Sequence, residues 1–94
     1  MNIPLDALEA KLLADPEVRA EYEALEQEYA LARELIAARA RAGLSQTELA
    51  EKMQTTQSTI ARLESGKGLP SMRTLKRFAE ATGSRAVVKL EAVQ

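Results

Sequence analysis

From Pro16 to Ala42 the chain runs for 27 residues without a glycine or a second proline. Asp15 stands before Pro16, so an N-cap is followed by proline at the first helical position, where its missing N–H costs nothing. Gly43 supplies the stop. A helix of this length is about 40 Å long at 1.5 Å per residue. Along it Val18, Tyr22, Leu25, Tyr29, Ala32 and Ile36 recur at steps of four and three and form one stripe, which ends where the next step lands on Arg39. From Leu31 onward a second set, Leu31, Leu35, Ala38 and Ala42, makes the helix apolar on more than one face, the pattern of a helix entering a packed domain. The second half is therefore expected inside a domain and the first half as a half-exposed arm.

The flanks divide by periodicity. Before Asp15, Leu5, Leu8 and Leu12 give a short amphipathic helix over residues 4–14, marginal by itself. After Gly43 three short helices are expected. Ser45 and Glu48 form a capping box that opens one running to about Met53. Thr55 or Thr56 caps the next, which carries Ile60 and Leu63 and ends at Gly66. Pro70 and Ser71 introduce the third, with Leu75, Phe78 and Ala79, stopped by Gly83. Beyond Gly83 the period changes to two: Ala86, Val88, Leu90 and Ala92 alternate with Val87, Lys89, Glu91 and Val93, which reads as a strand that needs a partner for its backbone.

Ninety-four residues make one small domain with an extension. At this size folding removes only roughly 60% of the accessible surface, so a partner or a second copy is expected to complete the thin core. Hydrophobic residues at 46%, charged residues at 29% and no long apolar run predict a soluble, cytoplasmic chain without a transmembrane helix or signal peptide. Cysteine and histidine are both absent, which removes disulfides, thiolate chemistry, the commonest general base and the commonest metal ligands. No enzyme activity, metal or cofactor is expected. Tyr22, Tyr29 and Phe78 are too few for a base-stacking platform. The net charge of −1 conceals a division. Residues 1–36 hold nine acids and three bases, a balance of −6; residues 37–94 hold ten bases and five acids, a balance of +5. A basic half suits phosphates and an acidic half suits a basic partner.

The motif that carries function is the pair of short helices from Gln46 to Lys67. In the first, Leu49, Ala50 and Met53 face inward, and the small Ala50 permits close approach of the second. The second presents Gln57, Ser58 and Arg62, none of which a core requires. Gln makes bidentate contacts to adenine, Arg to guanine, and Ser serves either, which is the chemistry of major-groove readout. The arrangement is a helix-turn-helix with its second helix in the groove. An ordinary solvated face is the bland alternative for Gln57 and Ser58, and a surface ion pair for Arg62. Lys52, Arg73, Lys76 and Arg77 read more readily as solvated surface than as phosphate contacts.

On these residues the sequence resembles the Cro/CI-type (XRE) helix-turn-helix family that includes phage repressors. The resemblance covers residues 31–83 and rests on GLSQTELAEKM followed by TTQSTIARLESGKGLPSMRTL. It implies a five-helix domain, dimeric on operator DNA, with Gln57, Ser58 and Arg62 facing bases, and with Gln46, Thr56 and Lys67 on the backbone. It also implies that Arg39 and Glu64 form the family's structural ion pair. Gln54 stands where the family often has glycine, and a strand takes the place of the fifth helix.

With the acidic arm in front, DPEVRAEYEALEQEYALARELIAARARAGLSQ, nearly the whole chain resembles the HigA-type antitoxins of bacterial toxin-antitoxin pairs. That resemblance implies a chain that neutralises a small basic ribonuclease of the RelE/HigB type and represses its own operon. The fold expected is all-α, a Cro/CI-type bundle with a long N-terminal helix and a C-terminal β-strand. Residues 1–30 are the arm, 31–83 the DNA-binding domain and 84–94 the strand. Glu21, Tyr22, Leu25, Glu28 and Tyr29 are the candidate toxin face, since acidic residues steer a basic partner and tyrosines anchor it. The same stripe also suits a coiled-coil seam with a dimer mate or an intramolecular core under the N-terminal leucine helix. Val87, Val88 and Leu90 are the candidates for a homodimer built by pairing the strand with its copy, with addition to the toxin's sheet as the competing use. The alternative function is a stand-alone phage-type repressor.

Overall fold

The computed structural model describes residues 7, 10, 11 and 14–93. Leu5, Leu8 and Leu12, which carry the expected N-terminal helix, lie outside the described residues. Four helices have described bounds: α1 Pro16–Arg41, α2 Gln46–Lys52, α3 Gln57–Leu63 and α4 Met72–Ala81. Each begins at a side chain that takes an orphan backbone N–H. Asp15 accepts from Glu17 N–H at 2.9 Å, Thr56 from Thr59 at 3.2 Å and Ser71 from Thr74 at 3.1 Å. At α2 the box is reciprocal: Glu48 N–H donates to Ser45 Oγ and Ser45 N–H to Glu48 Oε1, both at 3.0 Å. The Ser45 backbone N–H, and secondarily its hydroxyl, holds the Glu48 carboxyl below its ordinary range.

Three of the helices end in the same backbone device, in which a residue with positive φ lets two N–H groups fold back onto the last turn. After α1 it is Gly43 at φ 70°, with Gly43 N–H on Ala40 O and Leu44 N–H on Arg39 O. After α4 it is Gly83 at φ 67°, with bonds to Glu80 O and Ala79 O. After α2 it is Gln54 at φ 55°, bonded to Glu51 O, with Thr55 N–H on Ala50 O. The turn of the helix-turn-helix thus keeps a left-handed conformation with a side chain in place of glycine. That conformation costs an L-residue roughly 1–2 kcal/mol, less what glycine would lose in backbone entropy. Gln54→Gly is therefore expected to raise stability by about 0.5–1 kcal/mol in a urea titration; a drop in stability would show the side chain to be stabilising the turn.

The core lies where α1's second half meets the three short helices. Leu35, Ala38, Leu49, Ala50, Met53, Ile60 and Phe78 form one buried cluster, with Leu31, Leu44, Leu63, Leu75 and Ala81 packed around it. Leu49, Ile60 and Phe78 are the large side chains with almost no exposure, and removing each from water stabilises by about 1.5–3 kcal/mol. Small Ala50 of α2 belongs to the same buried cluster as Ile60 of α3. Two side chains tie the end of α2 to α4: Lys52 Nζ donates to Ala81 O at 3.4 Å and Arg77 Nη2 to Met53 O. Arg73 and Lys76 are exposed on α4.

The C-terminal strand is not present. Residues 84–93 have no regular secondary structure, and neither a strand nor a fifth helix occurs there among the described residues. The alternating pattern is real, but a strand's hydrogen bonds require a neighbouring strand, and the described residues provide none. Val87, Val88, Leu90 and Val93 are accordingly 62–95% exposed. Val87 and Val88 run along a groove of about 790 Å³, whose far walls are Leu31, Leu35 and Ala38 of α1 and Leu75, Phe78 and Ala79 of α4. No helix among the described residues is long and apolar enough to cross a membrane.

Candidate nucleic-acid interface and acidic arm

Helix α3 buries Ile60 and turns the other way with Gln57, Ser58 and Arg62, all exposed. At 100° per residue these three fall within an arc of about 140°. The N-terminus of α3 carries Gln57 and Ser58 as its first two helical residues, and Arg62 follows one turn later on the same side. Thr56 is exposed just before them, but its hydroxyl caps the helix and lies 3.1 Å from Ser58 Oγ and 2.9 Å from Thr59 Oγ1. Lys67 is exposed in the loop after α3, between Gly66 at φ 78° and Gly68 at φ 88°.

Beneath this face runs a chain of polar contacts that joins three helices. Arg39 of α1 meets Glu64 at the C-terminus of α3 by two bonds, Nε to Oε2 at 2.8 Å and Nη2 to Oε1 at 2.9 Å. Its Nη1 donates to Leu44 O at 3.0 Å, on the turn that leads into α2. The Glu64 side chain is only 3% exposed and that of Arg39 19%, so the pair works in a poorly hydrated setting; the carboxylate pushes the guanidinium pKa up, against the opposing effect of burial. Gln46 Nε2 donates to Glu64 Oε1 at 3.1 Å, and Gln57 Nε2 donates to Gln46 Oε1 at 2.6 Å. The buried ion pair therefore fixes Gln46, and Gln46 fixes the amide of Gln57. A glutamine whose amide orientation is set in advance presents a defined donor and acceptor to a base edge. The ion pair is legible from the motif, whereas the link through Gln46 is not: nothing in residue spacing tells which way an amide turns.

The arm is the first half of α1, and no break separates it from the domain. Tyr22, Leu25 and Tyr29 are 44–50% exposed and line one side, with Ile36 further along. Glu21 is exposed, while Glu28 is half-buried. Arg19 pairs with Glu23 at 3.1 Å and Arg33 with Glu26 at 3.0 Å, exposed pairs worth little to stability. Their effect is to occupy two of the arm's bases with its own acids. Two of the five toxin-face candidates also reach the domain. A methyl group at Gly66 would stand 2.5 Å from Tyr29 Cδ1 and 2.8 Å from Cε1, so the ring lies directly on that glycine. Gly68 N–H donates to Glu28 Oε2 at 3.3 Å. The glycines on either side of Lys67 are the available sequence signal for such an approach.

The helix-turn-helix family matches residues 35–88, more than half of the chain. Over 80 residues the sequence is 35% identical to antitoxin HigA1 of two Mycobacterium tuberculosis strains, CDC 1551 / Oshkosh and H37Rv. The match covers 85% of this chain and 54% of those proteins, so the chain spans about half the length of the curated relatives it matches. Among solved structures, a toxin-antitoxin module from Streptococcus pneumoniae superposes with a TM-score of 0.56 at 33% identity, over 97% of each chain.

Proposed function

Because the chain belongs to the XRE-type helix-turn-helix family, we propose that it is the antitoxin of a toxin-antitoxin pair. It binds a small basic ribonuclease of the RelE/HigB class through its arm and represses its own operon through α3. The observation that carries this reading is the union of two opposite surfaces on one rigid element. Helix α1 is acidic and half-exposed where it leaves the domain, and it is packed into the core behind the base-reading helix where it ends. A messenger-RNA-cleaving enzyme presents a positive surface, and Glu17, Glu21, Glu23, Glu26 and Glu28 offer the complement that speeds encounter and rejects wrong partners. Tyr22, Leu25 and Tyr29 supply the apolar contact within that field.

In the DNA-bound form Gln57, Ser58 and Arg62 read base edges, while Gln46, Thr56 and Lys67 meet the backbone. Two copies place their α3 helices in successive major grooves about 34 Å apart. The exposed Val87, Val88 and Leu90 form the contact between copies. The protein works in the cytoplasm and has no catalytic role of its own.

The reading is tested by co-expressing the toxin encoded beside this chain with the full chain or with its Leu25→Glu variant. Growth should be restored by the first and not by the second, while specific DNA binding is kept by both. Protection retained by Leu25→Glu would move the toxin contact off this stripe, and absence of any toxic neighbour would leave a plain repressor.

A further inference from the structure

We infer that Glu28 and Tyr29 of the arm are positioning residues for DNA, holding the loop that carries Lys67 in the shape that meets a phosphate. The inference rests on the DNA-binding reading of α3. Lys67 sits between two glycines, both at positive φ, so the loop has little stiffness of its own. Within the loop Lys67 N–H donates to Ser65 Oγ at 3.3 Å. From outside, α1 closes on both flanks. The Tyr29 ring covers Gly66, and the Glu28 carboxylate takes Gly68 N–H. Ser65 N–H on Arg62 O and Glu64 N–H on Ile60 O connect the start of the loop to the base-reading helix.

A loop ordered before it meets DNA binds without the entropy penalty of ordering during binding. Bracing by α1 therefore improves a phosphate interaction that α1 itself never makes. It also explains why the half-exposed Tyr29 faces glycine: any side chain at position 66 would collide with the ring, and the left-handed backbone there would be strained besides. Tyr29 belongs as well to the stripe proposed for the toxin, so a toxin seated there shares this residue with the DNA-facing loop.

The experiment measures affinity against salt concentration for a duplex selected from a random-sequence pool by the full chain. Tyr29→Ala should weaken binding roughly tenfold, the size of effect that one modest interaction supplies. It should also reduce the slope of log K on log salt by about one, as expected when one phosphate is no longer neutralised. Tyr29→Phe, which keeps the ring on Gly66, should bind as the parent does. Combining Tyr29→Ala with Lys67→Ala should weaken binding little more than Lys67→Ala alone, because both act on the same phosphate. Parental affinity and slope in Tyr29→Ala, or additive effects in the double variant, would overturn the inference. If Gln57→Ala still weakens binding in that case, the DNA-binding reading survives; if Gln57→Ala is also without effect, that reading fails and the inference falls with it.

Discussion

Arg39→Ala is expected to lower the unfolding free energy by about 3 kcal/mol, the lower end of the cost of breaking a buried ion pair by removing one partner. The large term is the carboxylate left behind. Glu64 has 3% of its side chain exposed and loses two charge-assisted bonds, keeping only the amide of Gln46. That surviving bond is why the lower end applies. Roughly 5–14 kcal/mol is the whole stability expected of 94 residues, so the variant approaches the threshold of unfolding. Replacing both members together, Arg39→Met with Glu64→Leu, should cost far less, since no charge is then stranded. Chemical denaturation of the three proteins checks this. A change below about 1 kcal/mol in Arg39→Ala would place the pair among exposed, weakly coupled ones.

The second large effect concerns base readout. Gln57→Ala and Arg62→Ala are each expected to reduce discrimination at one base position by about 1–3 kcal/mol, up to roughly a hundredfold in affinity for the preferred duplex. Lys67→Ala differs in kind: it should weaken all sequences alike and flatten the salt dependence. Gln57 has a further dependence on Gln46, which donates to Glu64 and accepts from Gln57. Gln46→Ala should thus relax the same base position that Gln57→Ala relaxes, although Gln46 itself is proposed to meet the DNA backbone. Competition binding against single-base variants of the selected duplex separates these outcomes. A Gln57→Ala, Arg62→Ala double variant with parental preference would remove α3 from readout.

Much of the fold is local in origin and therefore legible in the sequence. Asp15, Ser45, Thr56 and Ser71 start helices because short polar side chains satisfy orphan N–H groups, and Gly43 and Gly83 stop them because they accept positive φ. Ile60 and Phe78 are identifiable as core by spacing alone. Gln54 shows the limit of such rules, since the turn adopts the glycine conformation without glycine. The tail departs from expectation for another reason: alternation of apolar residues states what a segment is suited to, while pairing depends on a neighbouring strand, and none occurs among the described residues. The contact of Tyr29 with Gly66 joins residues far apart in sequence, and no periodicity reports it. Periodicity leaves the stripe on α1 open between partner, seam and core; the structure leaves Tyr22 and Leu25 half-exposed while Tyr29 also rests on the domain.

On the proposed function, one chain serves a basic ribonuclease and a DNA site from the two ends of α1. Native mass spectrometry of the chain, purified at low salt from cells that express it from its own locus, tests this most directly when followed by an RNA-cleavage assay on what accompanies it. The expected result is a small basic protein in fixed ratio that cleaves RNA when released and is silent when the chain is added back. The chain alone as a dimer, competent for specific DNA and with no protein partner, would contradict it.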